Sequence, residues 1–220
     1  MIDGLSRRQL GAEVAAARRA LLSTLEDLEA GRWDAPSLCD GWMVRDVVAH
    51  VLHLHDLNRQ PLLGAGLVRA GFRVNRYLAA EARRRAAGRA PRDLIDALAD
   101  AAFEKTIVWK VYPWPEYVLV ELVVHTQDIR RPLGIDTPPG AAHLRIAADV
   151  HARPPRRLDP VRTRLPATRF EATDTDWTSG EGPLVRGPLE AIVMALAGRR
   201  DALTELVGEG VAPLVRRLGA

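Results

Sequence analysis

Apolar positions recur every three or four residues over most of this chain, which is the spacing of helices that bury one face. The first helix is predicted to follow the N-cap Ser6, to run to about Ala30 and to stop at Gly31. Its buried face is predicted to consist of Leu10, Val14, Ala17, Leu21, Leu25 and Leu28. Further helices are predicted over about residues 43–59, 72–87, 93–111 and 115–133. This pattern predicts a mainly α fold built on a bundle of four main helices.

The pattern changes after Gly134, where residues 137–140 have the composition of a linker. We therefore expect two domains. Residues 1–137 would form the helical bundle, and residues 138–220 a small α/β domain.

Helices and strands are mixed in the second half. A short helix is predicted over residues 141–150, followed by a Pro- and Arg-rich segment that is an exposed loop or irregular edge structure. Residues 168–180 alternate well enough for one strand, and residues 183–187 for a second strand paired with it across the Ser-Gly-Glu-Gly turn. Pro188 is predicted to open a helix that stops at Gly198.

The helix predicted before Gly134 carries polar groups on an apolar background. Glu121, His125 and Asp128 are spaced four and three residues apart, so their side chains share one helical face. Burying a carboxylate and an imidazole without compensation is costly. A bound cation that uses both groups as ligands removes that cost, and the helix is therefore a candidate metal site.

A second histidine with apolar neighbours lies far upstream. His50 sits in an apolar stripe of the helix predicted over residues 43–59. If this helix packs beside the later one, His50 can meet Glu121 and His125. Two histidines and one glutamate are typical ligands of catalytic zinc. Two core histidines with polar neighbours are the alternative, and His53, one turn on, could replace His50 as a ligand.

Two aspartates accompany these candidate ligands. Asp46 precedes His50 by one turn, and Asp128 follows His125 by one turn. Both are candidate cofactor-site groups that orient a ligand imidazole. Surface salt bridges to Arg45 or Arg131 are the alternative.

Composition limits the classes of function. With 220 residues, 47% of them apolar, the chain can bury one sizeable core, or a main domain with a small second one. The longest apolar runs fall short of the roughly 18 residues of a transmembrane helix, and the N-terminus lacks a signal-peptide core, so we expect a cytoplasmic protein with no membrane partner. Cys39 is the single cysteine, which excludes an intrachain disulfide.

Charge argues against a nucleic-acid partner. The sequence pI is near 9.5, but the net charge is only +3. The cluster Arg83, Arg84 and Arg85 has no interleaved aromatic residues and is best explained as a solvated helix face.

Two motifs and the tail resemble a known family. LCDGWMVRDVVAHVLHL resembles the Cys-x-Gly-Trp-x-x-x-Asp-x-x-x-His-Leu signature of the mycothiol-dependent maleylpyruvate isomerase family, part of the DinB-like metalloproteins. ELVVHTQDIRRPLG is similar to the second signature of that family, Glu-x-x-x-His-x-x-Asp followed by Gly. GPLVRGPLEAIVMALAGRR is similar to its small C-terminal domain. These pieces frame nearly the whole chain, and they are specific for the fold and the metal site but not for the substrate.

The resemblance favours a metal over two core histidines. It also implies that an arginine of the C-terminal domain reaches the metal pocket. Arg199 is the candidate catalytic residue, with Arg200 and Arg186 as competitors. Cys39 occupies the cysteine position of the first signature, where we expect a packed structural cysteine because the cofactor thiol is the nucleophile in this family.

The activity implied by the resemblance is that of a zinc-dependent enzyme, or one using another divalent metal. It would use mycothiol, a low-molecular-weight thiol, on a small electrophilic substrate, either as an isomerase or as a thiol S-transferase. The alternatives are a non-catalytic metal-containing protein that binds a small ligand or regulates, and an ancestral site that persists without activity. The sequence does not distinguish a monomer from a homodimer.

Overall fold

The structure, a computed structural model, describes residues 6–56, 74–101, 116–153 and 167–219. These residues divide into two compact units, one ending at Thr137 and the other beginning at Pro138. The fold is mainly helical with a small three-stranded sheet, as predicted. None of the helices in the described ranges combines the length and the apolarity that a membrane span requires.

The first unit is a helical bundle. Its helices are α1 (Arg7–Glu26), α2 (Val44–Asp56), α3 (Val74–Ala86), α4 (Pro91–Asp100) and α5 (Glu116–Arg130), with a 3₁₀ helix over Ala30–Asp34. Helix α1 packs against α4 and α5, and α2 packs against α3, α4 and α5. The predicted starting residue of α5, Pro115, and the predicted extension of α4 to residue 111 lie outside the described residues.

Local capping fixes the start of α1. The Ser6 Oγ accepts a hydrogen bond from the Gln9 backbone N–H at 3.3 Å, and Gln9 Oε1 accepts one from the Ser6 N–H at 2.9 Å. The helix ends at Glu26, four residues before the predicted end at Ala30. Leu28 is half-buried instead of buried, because the chain has left the helix before reaching it.

A tight loop joins the 3₁₀ helix to α2. The Ser37 N–H donates to Trp42 O and the Trp42 N–H donates to Cys39 O, both at 2.9 Å. Gly41 has φ = 71°, which favours glycine at this point of the turn. The Leu38 N–H donates to the Asp128 carbonyl at 3.0 Å, so the loop is attached to α5 through its backbone.

Helix α5 is the interior element of the unit. Residues 122–130 are all buried, including the guanidinium-bearing Arg130. That side chain donates to Thr24 Oγ1 at 2.8 Å, to Ala20 O at 3.1 Å and to Thr137 O at 2.9 Å. Gln127 Nε2 donates to the same Thr137 carbonyl at 3.1 Å. These bonds compensate the burial of a charged group and join α1, α5 and the last residue of the unit.

The second unit combines helices and strands. Its elements are α6 (Ala141–Ala152), β1 (Arg169–Ala172), β2 (Thr178–Ser179), β3 (Leu184–Gly187), α7 (Leu189–Leu196), a 3₁₀ helix (Asp201–Glu205) and α8 (Val211–Gly219). The Trp177 indole N–H donates to Asp149 Oδ1 at 2.8 Å, which ties the turn before β2 to α6. Asp174 Oδ1 accepts from the Leu189 N–H at 2.9 Å at the start of α7.

The sheet differs from the predicted hairpin. The segment expected to form one strand is divided between β1 and β2, which pair antiparallel. The strand β3 pairs with β1 in parallel, giving the order β2–β1–β3. A Cβ at Gly182 would lie 2.7 Å from Ala167 O, so only glycine lets the chain pass this close to the start of β1. The predicted turn therefore leads the chain across β1 to its other edge, and the prediction of a hairpin was wrong.

We propose that each unit is a domain that folds on its own, and we expect a chain of residues 1–137 to remain helical and to unfold cooperatively. Residues 1–134 are the matched control, because this chain lacks the Thr137 carbonyl that accepts from buried Arg130. Leaving such a buried donor unsatisfied costs about 1–3 kcal/mol, so its melting temperature should be several degrees lower. Circular dichroism during heating measures the helical content and the melting temperature of both chains. An unfolded 1–137 chain would show that the two units share one core.

Candidate metal centre

Three side chains of the types that ligate metal ions meet where α2 packs against α5. Glu121 and His125 lie one turn apart on α5, and His50 is contributed by α2. Glu121 Oε2 is 3.1 Å from His125 Nε2 and 3.5 Å from His50 Nε2. The three donor atoms all lie within 4.8 Å of one another. The structure thus brings together the three ligands that the sequence predicts.

These separations fit a tetrahedral ion. Zinc binds histidine nitrogen and carboxylate oxygen at about 2.0–2.2 Å, which places neighbouring tetrahedral ligands about 3.3–3.6 Å apart. The two separations of 3.1 and 3.5 Å differ little from this range. The residues present therefore fit zinc, with room for a fourth ligand in the coordination sphere.

The most exposed side chain of this cluster is that of Glu121. The Glu121 side chain keeps 37% of its surface exposed, whereas the His50 and His125 side chains keep 6% and 8%. The Trp42 ring stands edge-on to the His50 ring at a centroid distance of 5.1 Å, and the two histidine rings are 4.9 Å apart in a similar arrangement. Solvent or a ligand can therefore reach the cluster beside Glu121.

A buried carboxylate orients one of the imidazoles. Asp128 is completely buried, and its Oδ2 accepts a hydrogen bond from His125 Nδ1 at 2.8 Å. A proton on Nδ1 leaves the lone pair of a neutral ring on Nε2, the atom that faces Glu121 and His50. Such a contact between Asp128 and a histidine of the cluster was predicted from the sequence.

The structure contains a second candidate set, Cys39, His125 and Asp128. Cys39 Sγ is 3.1 Å from Asp128 Oδ2 and 3.8 Å from His125 Nδ1. The 2.8 Å between His125 and Asp128 is a hydrogen-bond distance, shorter than the ligand separation around tetrahedral zinc. A neutral imidazole also has only one acceptor nitrogen, so His125 cannot serve both sets. The set that uses Nε2 is therefore the better candidate for a metal ion.

Asp46 takes a different role from the one predicted. Its Oδ2 accepts from the Met43 backbone N–H at 3.0 Å and so caps the start of α2. Within the part of the chain that the structure describes, this carboxylate serves the helix end and not an imidazole. Arg45, the alternative partner, pairs with Asp34 at 2.6 Å.

The other two candidates, His53 and Arg199, are each described within their own unit. His53 is buried on α2, where its ring is 5.9 Å from the Tyr77 ring of α3. Arg199 belongs to the second unit, where its guanidinium donates to Ala197 O at 2.8 Å.

The competing arginines make contacts within the second unit. Arg200 donates to Leu218 O at 2.8 Å, and Arg186 pairs with Glu171 at 3.1 Å.

Proximity of the charges sets the protonation of the cluster. Burial opposes ionisation of Glu121, but hydrogen bonds from His125 and His50 outweigh it and hold the pKa of Glu121 well below its usual range. Burial also opposes the charged form of His125, but bonds to Asp128, Cys39 and Glu121 raise the pKa of His125 well above its usual range. Both shifts favour the charged forms of Glu121 and His125 in the metal-free cluster.

Comparison with known proteins identifies a matching family and two similar structures. The family profile described as "Mycothiol maleylpyruvate isomerase N-terminal domain" matches residues 14–130. A crystal structure of the mycothiol-dependent maleylpyruvate isomerase is similar to this chain with a TM-score of 0.59 and 14% identity over 93% of both chains. A histidine-to-alanine mutant of that isomerase gives a TM-score of 0.60 and 13% identity over 93% of both chains. At this identity the structures show a shared fold only. No curated protein sequence matches the chain.

We expect about one divalent ion per chain, and we expect His50→Ala and His125→Ala each to lose most of it, because two remaining ligands hold zinc weakly. His53→Ala is the matched control, since His53 is a buried histidine of the same helix outside the cluster. Elemental analysis after dialysis measures the metal content of the parent protein and of each variant. Full occupancy in both ligand variants, or loss only in His53→Ala, would refute the assignment.

Zinc binding should release close to one proton per ion near neutral pH. The raised pKa keeps metal-free His125 protonated, and zinc takes the lone pair that this proton occupies. Apparent affinity should therefore increase with pH until the pH exceeds that pKa. Calorimetry in buffers of different ionisation enthalpy counts the protons, and no release at pH 7 would show that His125 is already neutral.

Proposed function

The chain belongs to the mycothiol maleylpyruvate isomerase N-terminal domain family, and from this membership and the geometry of the cluster we propose that it is a zinc-dependent enzyme using mycothiol. Its substrate would be a small electrophile, and the reaction an isomerisation or a thiol S-transfer. The observation that carries the proposal is the convergence of one carboxylate oxygen and two imidazole nitrogens at the contact of α2 with α5.

The donor set suits a thiol cofactor. His50 and His125 would bind as neutral imidazoles and Glu121 as an anion, so the three ligands neutralise only half of the charge of a divalent ion. When bound there, zinc acts as a Lewis acid that lowers the pKa of a coordinated thiol. The exposed flank of Glu121 supports access for such a thiol.

The chemistry of a thiol explains both proposed reactions. A thiolate adds to the carbon of an activated double bond, and the electron pair moves to the conjugated carbonyl oxygen. Rotation about the new single bond followed by loss of the thiolate gives the isomer, with no net change in the cofactor. If a proton is added to carbon instead, the carbon–sulfur bond is retained and the outcome is S-transfer.

An arginine would hold the electrophile. We propose Arg199 of the second unit for this role, because a planar guanidinium binds a carboxylate through two parallel hydrogen bonds and stabilises the negative charge that develops next to it. The support for Arg199 is the similarity of its segment to the C-terminal domain of the family. Its contact with Ala197 O shows only how its own turn is held.

We propose a cytoplasmic location, because a reaction that uses a free thiol needs a compartment in which thiols stay reduced.

The thiol provides the test of this function. At pH 7 only about 3% of a free alkyl thiol is thiolate, so its coordination to zinc should release a proton. We expect zinc-loaded protein to bind mycothiol with proton release that declines as the pH rises. Glu121→Gln should retain some metal but lose thiol-dependent turnover, because a neutral amide is a weaker ligand and changes the charge of the site.

The control is Glu29→Gln, which changes an exposed carboxylate outside the cluster and should behave like the parent. Calorimetry measures binding and proton release, and loss of free thiol with a panel of electrophiles measures turnover. Zinc-loaded protein that neither binds mycothiol nor releases a proton would overturn the enzymatic function and favour carriage of a small ligand.

A further inference from the structure

We propose that Cys39 is a positioning residue of the metal centre, whose thiol holds the Asp128 carboxylate in the orientation that fixes the His125 ring. This role rests on the proposed metal function, because it prepares His125 Nε2 as a ligand. It differs from the role of a packed structural cysteine expected from the sequence.

The contact is a hydrogen bond with a defined direction. Cys39 Sγ lies 3.1 Å from Asp128 Oδ2, and a carboxylate has only acceptors, so the thiol is the donor. The same oxygen accepts from His125 Nδ1 at 2.8 Å. One atom of Asp128 therefore joins the thiol to the imidazole.

The loop presents this thiol in a fixed position. The Cys39 N–H donates to Ser37 Oγ at 3.2 Å, and Cys39 O accepts from the Trp42 N–H. The adjacent Leu38 N–H donates to the backbone carbonyl of Asp128. The loop thus contacts Asp128 twice, once through its backbone and once through the thiol, so little freedom remains to either side chain.

The burial of Asp128 explains why this donor matters. The side chain is completely buried, and a buried carboxylate needs donors to compensate the loss of hydration. With the thiol removed, Asp128 would gain freedom to rotate away from Nδ1. The His125 ring could then place its proton on Nε2, and the cluster would lose one ligand.

Neither of the other roles of a cysteine fits this environment. A nucleophilic thiolate is stabilised by neighbouring positive charge or a helix N-terminus. The His125 ring lies 3.8 Å from the Cys39 Sγ, but the Asp128 carboxylate is nearer, at 3.1 Å, and its negative charge opposes a thiolate. A ligand role is disfavoured when the metal uses His125 Nε2, because the neutral ring then keeps its proton on Nδ1, where it bonds to Asp128.

Zinc affinity separates a hydrogen-bonding role from a packing role. We expect Cys39→Ala to weaken zinc binding about tenfold, the lower end of the effect of removing a group that supports a metal ligand. Cys39→Ser keeps a donor and should bind zinc nearly as tightly as the parent. Leu38→Ala is the matched control, because it removes apolar contacts from the same loop but keeps the backbone bond to Asp128.

Competition with a chromophoric chelator measures affinity, and thermal unfolding shows which variants lose stability. Leu38→Ala should lose stability with unchanged zinc affinity. Undiminished affinity in Cys39→Ala, or equal weakening in the Ala and Ser variants, would overturn the positioning role while the metal proposal stands. A parent protein that binds no zinc would overturn both.

Infrared spectroscopy observes the hydrogen bond without any metal. The S–H stretch absorbs where proteins are otherwise transparent, and Cys39 is the single cysteine of the chain, so the band has one source. In metal-free folded protein we expect this band at lower frequency than in the unfolded chain, and less displaced in Asp128→Asn, whose amide is a weaker acceptor. A band at the unfolded position in the folded parent would overturn the inference whatever the zinc measurements give.

Discussion

The contact between α2 and α5 depends on compensation of charge inside the bundle. Asp128 is completely buried, and His125 lies between it and Glu121 at hydrogen-bond distance from both. Burying an isolated charge at this depth would cost a prohibitive amount of free energy. An uncharged contact of the same shape would not have this cost. Burying these charged groups therefore costs stability compared with an apolar core. Under the proposed function, a cation held by Glu121, His50 and His125 would give that cost a purpose.

The helix that carries this cluster is held at defined points. At its C-terminal end Arg130 bonds to Thr24 and Ala20 of α1 and to the Thr137 carbonyl. Beside the cluster, the Leu38 N–H bonds to the carbonyl of Asp128. Helix α5 can therefore hardly slide or rotate without breaking buried bonds. This rigidity matters for a metal site, since ligand atoms must stay within a few tenths of an ångström of their places.

Sequence spacing predicted which three side chains form the cluster, but it did not predict the hydrogen-bond partner of Asp46. The i, i+4 relation of Glu121 to His125 follows from helical geometry alone, and the pairing with His50 needed only two apolar faces in contact. Asp46 has the same spacing to His50 that suggested an orienting role, but its carboxylate bonds to the Met43 N–H. A side chain in the first turn of a helix competes for free backbone donors, and spacing does not reveal which partner wins.

Two contacts between distant segments could not be predicted from the sequence, for a similar reason. The sequence places Cys39 before a helix, but its donation to Asp128 depends on how a loop folds against a helix 89 residues away. The parallel pairing of β3 with β1 depends on the close passage at Gly182, which a turn motif alone does not distinguish from a hairpin.

Binding of zinc would change the protonation of the cluster more than the positions of its atoms. Glu121 Oε2 already lies 3.1 and 3.5 Å from the two histidine nitrogens, close to the separations that zinc imposes. The raised pKa of His125 favours a proton between His125 and Glu121 in the metal-free protein, where it would balance part of the negative charge. A proton and a zinc ion would thus be alternative occupants of one preorganised site. The metal-free bundle could then keep its packing, because the proton would take the place of the ion.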